Sequence, residues 1–310
     1  MNIKIAAEKW GISERRVRKL CENGMIYGVQ QIRNEWLIDD SAPKPVDMRK
    51  FRYAQIPESL SAKVAIIESL KAAISKSRQL TSGEDKRLRD EFLVDYTYNS
   101  THIEGNTLTE SETAMVLSGL TIGEKPIKDH LEAVGHRDAF LWLENELKAH
   151  AVLAEKMIKD IHFLVLGDLP LDRGKYRSVP VRILGACHEP PQPYAVPSLM
   201  EEWIDWTVRS KMHPIMLAAL SHIKFEAIHP FIDGNGRTGR LLANYLLMSN
   251  GYLPINIKYE NRRAYYEAFE AFHRDQDGGL KMMELFVDAE FKELEKRWLL
   301  MALSSDVAAR

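Results

Sequence analysis

The 310-residue sequence predicts a mainly α-helical protein behind a small N-terminal unit, and three observations carry that prediction. Apolar residues recur at helical spacing over long stretches, as with Leu60, Val64, Ile67 and Leu70 between Ile56 and Leu80. Start and stop residues bracket such stretches: Thr109 and Glu112 form a capping-box pattern, and Gly251 follows the run Arg240 to Met248. Strand-like patterning is confined to residues 26–38 and to a short stretch around Val179, Val181 and Ile183.

Residues 1–46 make the N-terminal unit. Ile3 to Trp10 is a short helix, Gly11 a turn, and Ser13 the cap of a second helix that runs from Glu14 to Asn23 and stops at Gly24. Ile26, Val29 and the run Ile32 to Ile38 give two short strands. Helix, glycine turn and capped helix is helix-turn-helix architecture. The second helix carries Arg15, Arg16, Arg18 and Lys19, the local basic footprint expected for phosphate contacts. A protein-docking module with a solvated basic helix is the other reading. Pro43, Lys44 and Pro45 form a stiff linker, and residues 47–310 constitute the larger domain.

A helix is expected from about Glu84 to Glu104, stopped by Gly105. Ser100 and Glu104 then share a face. A carboxylate in a last helical turn is electrostatically misplaced, by roughly 0.3–1 kcal/mol when exposed, and is served by a nearby cation. An ordinary surface glutamate before a glycine cap is equally compatible with these residues. Between 170 and 197 the helical pattern stops, and a hairpin or an irregular surface loop fits residues 174–190. Prolines at 190, 191, 193 and 197 and Gly185 follow the strand-like stretch. Further helices are expected from Arg240, from Asn261 onward, and from Met282 to Leu303.

The chemistry concentrates in residues 229–240, His-Pro-Phe-Ile-Asp-Gly-Asn-Gly-Arg-Thr-Gly-Arg. An imidazole suits removal of a hydroxyl proton near neutral pH. Asp233 offers one carboxylate to Mg²⁺, leaving phosphate oxygens and waters to complete an octahedron. Gly234, Asn235 and Gly236 let backbone N–H groups approach an anion at a helix start. Arg237 and Arg240, three apart near that positive helix end, are unfavourable there unless a polyanion lies between them. A histidine-proline pair or a Gly-Asn-Gly turn alone is usually structural. Their joint occurrence in this order points to a nucleotide, a metal and an activated nucleophile.

The stretch resembles the signature of Fic-domain proteins, His-Pro-Phe-x-(Asp/Glu/Asn)-Gly-Asn-Gly-Arg-x-x-Arg, at every fixed position. The resemblance implies a Fic-type helical bundle with a β-hairpin flap over residues 174–190, and transfer of AMP from ATP to a protein hydroxyl with Mg²⁺. His229 is then the general base and Asp233 the Mg²⁺ ligand. Gly234, Asn235 and Gly236 form the anion hole, and Arg237 and Arg240 grip the β- and γ-phosphates. The run Ser100 to Asn106 is similar to the family's inhibitory motif, so Glu104 would pair with Arg240 and hinder productive ATP binding. Its place before the signature resembles the class with an N-terminal inhibitory helix. Tyr265 and Tyr266 resemble residues near the adenine pocket, although aromatic rings at helical spacing are more often core. Family members carry an asparagine seven residues past the second tyrosine, where this chain has His273, so a nucleobase preference does not carry over. The N-terminal unit resembles the winged helix-turn-helix of excisionase and MerR-type proteins.

Composition bounds the remainder. A net charge of −2 confines any nucleic-acid contact to residues 1–46. Cys21 and Cys187 fit neither a zinc pattern nor a disulfide framework, which suits a reducing cytoplasm. His222 reads as a core or helix-surface histidine. No signal peptide and no run of about 18 apolar residues is recognised, so no membrane association is expected. The sequence is thus read as an autoinhibited protein adenylyltransferase acting on a Ser, Thr or Tyr hydroxyl of a target protein, with DNA as a second partner of residues 1–46 and homo-oligomerisation left open. The alternatives are removal of AMP from a modified protein with Glu104 orienting water, and a nucleotide-sensing DNA-binding regulator.

Overall fold

A computed structural model describes the chain except Asn34, residues 47–55, Arg78, 168–170, 184–186 and 309–310, and except the side chains of 302–308. It divides into two compact units, residues 1–81 with 287–310, and residues 82–286. Contact thus groups residues 56–81 with the N-terminal segment, whereas the linker prolines suggest a boundary near residue 46.

In the first unit, α1 (Ile3–Trp10) starts where the Asn2 side chain accepts the Ile5 N–H, and ends at Gly11 in a left-handed conformation of φ 63°. α2 (Glu14–Glu22) starts at Ser13, whose hydroxyl accepts from Arg16 N–H. β1 (Gln30–Ile32) pairs antiparallel with β2 (Glu35–Leu37), with Gln31 opposite Trp36. Ala6, Trp10, Val17, Leu20, Ile26 and Ile38 close a small core beneath them. Val17 and Leu20 face that core, which leaves Arg15, Arg18 and Lys19 exposed and Arg16 partly so. α3 (Glu58–Ile74) is shorter than the apolar spacing suggests, because the chain beyond it, Ser75 to Ser77, turns through i→i−3 and i→i−4 hydrogen bonds.

The second unit holds α4 (Ser82–Ile103), α5 (Glu110–Leu117), α6 (Ile127–Lys148), α7 (Glu155–Val165), α8 (Val196–Arg209), α9 (Pro214–Ile228), α10 (Asn235–Ser249) and α11 (Arg262–His273). α5 has the expected capping box, with the Thr109 hydroxyl accepting from Glu112 N–H and the Glu112 carboxylate accepting from Thr109 N–H. α10 packs against α9, α7, α6 and α4, and nearly every residue from Asn235 to Leu247 is buried. A helix enclosed on all sides is a core helix. Its polar residues at 235, 237 and 240 must therefore find partners inside the protein. The last helix, α12 (Leu280–Ala308), begins in this unit; its later part belongs to the first, where Trp298 donates to Ser41 O at 3.1 Å.

Within the expected hairpin at 174–190 no strand is assigned among the described residues, and residues 184–186 lie outside them. Pro180, Pro190 and Pro191 supply no N–H to a ladder. The N–H and side chain of Arg177 are committed elsewhere, to the loop at 228–230.

Candidate active site

The signature loop begins where α9 ends. His229 occupies a left-handed conformation, φ 49° and ψ 59°, and its N–H closes the helix onto Phe225 O. A non-glycine residue in that region carries backbone strain. The loop is then stapled by buried contacts. Asn235 accepts from Phe231 N–H and donates to Phe231 O, both at 2.9 Å. The His162 ring of α7 stacks on Phe231 with centroids 3.6 Å apart. Burial, above all, pushes the His162 pKa down to about 4, so the ring is neutral at pH 7. Its Nδ1 accepts from Gly174 N–H at 3.0 Å, which leaves Nε2–H to donate to Asp233 O at 2.9 Å.

α10 starts from Gly234, φ 76°, without a side-chain cap. Its first N–H groups are therefore open to an anion. At Gly236 a Cβ would lie 2.2 Å from Glu104 Oε1, so the absent side chain gives the carboxylate its place over the helix start. Sequence spacing suggests that the helix begins near Arg240. Its start at Asn235 instead puts Arg237 in the first turn and Arg240 in the second, which weakens the dipole argument for Arg240.

The two arginines have different surroundings. Arg240 donates from Nη2 to Glu104 Oε1 and to Ser100 O, both at 2.7 Å, from Nε to Ser100 Oγ and from Nη1 to Tyr265 Oη, both at 3.0 Å. Burial opposes its charge, but Tyr265 and Glu104 outweigh that and raise its pKa. Arg237 is 1% exposed and lies between Glu132 Oε1 of α6, at 3.1 Å, and Asp233 Oδ1, at 3.2 Å. It does not line the cavity. Arg237, expected at the phosphates, is here a buried guanidinium paired with Glu132 and Asp233, and its Nε has no hydrogen-bond partner among the described residues. Glu132 in turn accepts from Asn106 Nδ2 at 3.0 Å, which ties the segment after Glu104 to the loop.

A cavity of about 490 Å³ opens over these groups, lined among others by Glu104, Glu226, His229, Asp233, Arg240 and Tyr266. That size suits a nucleotide. His229 Nδ1 and Glu226 Oε1 are buried at its wall without hydrogen-bond partners, 3.6 Å separating Nδ1 from Glu226 Oε2. Asp233 keeps 41% of its side chain exposed. Among the described residues no group of three or more His, Cys, Asp or Glu is arranged for a metal. A divalent ion at Asp233 would thus complete its shell with phosphate oxygens and waters, which fits the hard oxygen chemistry of Mg²⁺.

Tyr265 lines the same cavity from a buried position. Its ring is 2% exposed, and its hydroxyl is shared between Arg240 and His222 Nε2, the latter at 2.6 Å. Burial holds the His222 pKa down at about 3, so a neutral imidazole faces the phenol. His222 is a core residue, as expected. Tyr266 lines the cavity and is 41% exposed, and His273 lines it too, stacked on His188 with centroids 4.0 Å apart. Sequence reasoning missed Glu132, His162, Glu226 and Arg177. Glu132, His162 and Arg177 act through partners remote in the chain, whereas Glu226 lies one helical turn before His229.

Residues 152–247 match the model of the Fic/DOC family. Among curated proteins, the chain is 36% identical over 221 residues to a protein adenylyltransferase Fic of Drosophila willistoni, covering 69% of this chain and 44% of that one. A protein adenylyltransferase Fic of Nematostella vectensis is 39% identical over 198 residues, covering 61% and 46%. The chain therefore spans less than half the length of these curated relatives. Among solved structures, a Fic domain-containing signaling protein of Bacteroides thetaiotaomicron superposes with a TM-score of 0.71 at 26% identity, covering 77% of this chain and 97% of that one. The C. elegans Fic-1 fragment gives 0.68 at 28%, covering 78% and 72%.

Proposed function

Because the chain contains a Fic/DOC domain, we propose that it is an autoinhibited protein adenylyltransferase that moves AMP from ATP to a Ser, Thr or Tyr hydroxyl of a target protein. The observation that carries this reading is the Glu104–Arg240 pair, 2.7 Å apart, at the rim of a nucleotide-sized cavity that also holds His229. His229 takes the proton of the target hydroxyl, whose oxygen attacks the α-phosphorus as the bond to the departing pyrophosphate breaks. The N–H groups at the start of α10 receive phosphate oxygens, and Arg240 binds the terminal phosphate once Glu104 has left it. Asp233, fixed by Arg237 and Gly234 N–H, would hold Mg²⁺, which supplies charge neutralisation on the phosphates. The test is incubation with labelled ATP and cell lysate, comparing the parent with Glu104→Gly. Label on a protein that increases with the variant supports the reading, and absence of AMP transfer by either form overturns it.

The Glu104 carboxylate, 32% exposed and reaching the cavity, also favours a second reading in which it orients water for removal of AMP. A purified AMPylated target separates the two: loss of AMP that requires Glu104 supports the reverse reaction. Residues 1–46 are read as a winged helix-turn-helix that binds DNA. The exposed Arg15, Arg18 and Lys19 on a capped helix beside a β-hairpin support that reading.

A further inference from the structure

We propose that Arg177 is the positioning residue of His229, the side chain that holds the catalytic loop in its strained geometry and ties it to the segment ending at Pro191. Arg177 is 3% exposed. Its Nε donates to His229 O at 2.8 Å, its Nη2 to Ile228 O at 3.4 Å, and its own backbone N–H to Pro230 O at 2.9 Å. Three successive carbonyls, 228 to 230, are thus fixed by one residue, and the middle one belongs to the candidate base. The same guanidinium reaches the other way, from Nη2 to Pro191 O at 2.5 Å and from Nη1 to Val179 O at 3.2 Å.

Every acceptor named here is a neutral carbonyl. Burying a guanidinium on carbonyls alone is expensive, and burial holds its pKa below the ordinary value. A packed apolar side chain would serve mere stability better. What a planar five-donor fork supplies is simultaneous contact with carbonyls that point in different directions. His229 needs that contact. It is a non-glycine residue at φ 49°, and its imidazole Nδ1 makes no hydrogen bond, with Glu226 Oε2 3.6 Å away. The backbone thus shares in placing the ring, and Arg177 holds that backbone on both sides of the residue. A lysine keeps the charge but offers a point donor and cannot span the same set.

This inference rests on His229 being the base. The experiment uses the full chain carrying Glu104→Gly, with Arg177→Ala, Arg177→Lys and His229→Ala each added to it. Transfer of labelled AMP to protein is measured with and without millimolar guanidinium. ATP affinity and the ¹⁵N-histidine spectrum are recorded in parallel, the His229 signals being identified by their loss in His229→Ala. Arg177→Ala is expected to lower the transfer rate about 10²-fold, the scale of a misplaced reacting group, with ATP affinity changed less than about threefold. Guanidinium should restore part of that loss, Arg177→Lys should fall between parent and alanine, and the His229 signals should shift in both. Should Arg177→Ala not fold, Arg177→Lys carries the comparison. Parental transfer and parental His229 signals in Arg177→Lys, or a loss confined to ATP affinity, overturn the inference. Full transfer by His229→Ala instead overturns the reading on which it rests, while the histidine spectrum still reports whether Arg177 places the ring.

Discussion

Two regions of the candidate site hold an arginine, and they hold it in opposite ways. At the catalytic loop, Arg177 is enclosed by backbone carbonyls, and the loop is stapled further by Asn235 and by a neutral His162. At the inhibitory segment, Arg240 is held on one side by Ser100 and Tyr265, both nearly inaccessible, and on the other by Glu104, which keeps about a third of its side chain exposed. A ligand can take the place of Glu104 without disturbing the remaining three hydrogen bonds to Arg240. It cannot replace anything around Arg177 without unmaking the loop. Permanence is built from buried neutral partners, and exchange from one partly exposed charge at a cavity rim.

The largest effect falls on the permanent region. With Glu104→Gly releasing the site, His229→Ala should reduce AMP transfer about 10²–10⁴-fold while ATP binding, measured calorimetrically, stays within a few-fold. Undiminished transfer would show that the rigid loop is held for some other purpose. Next is the exchangeable contact. A hydrogen bond to a charged group contributes about 1.5–3 kcal/mol, so Glu104→Gly should raise transfer roughly 10–100-fold, read as labelled protein per unit time. Arg240→Ala should not imitate it, since the same guanidinium serves the nucleotide, and the double variant should behave like Arg240→Ala. If the single variants instead look alike, the two sides of Arg240 do not differ in the way described.

The loop's neutral histidines give a pH signature. His162 and His222 have folded pKa values of about 4 and about 3, below the ordinary 6.5. The unfolded chain therefore binds their protons first, and their contribution, full above about pH 6.5, is lost as pH falls towards those values. The unfolding midpoint should drop between pH 7 and pH 4, and His162→Gln should flatten the slope; an unchanged slope would argue that the ring is not held neutral. The smallest effect concerns the N-terminal unit. Arg15→Ala or Arg18→Ala should each reduce the salt slope of DNA binding by about one, measured by fluorescence anisotropy across salt concentrations. No affinity at low salt would make the unit a protein-docking module.

The sequence by itself determined the local features. Helices α1, α2 and α5 follow from cap residues and apolar spacing within a few positions of each other, and the 229–240 loop declares its glycines, base and carboxylate in twelve consecutive letters. Ser100 and Glu104 were legible as a pair because four residues make one helical turn. Tertiary structure alone decided which charges meet. Arg237 meets Glu132, 105 positions earlier in the chain, because α10 begins at Asn235 and lies buried against α6. Tyr265 met Arg240, 25 positions earlier, and Arg177 reached the carbonyls at 228 and 229 from more than fifty positions away. Local order is written by torsional preference and by neighbours along the chain, whereas the partner of a buried charge is set by which helix packs beside it, and spacing within one helix carries no record of that.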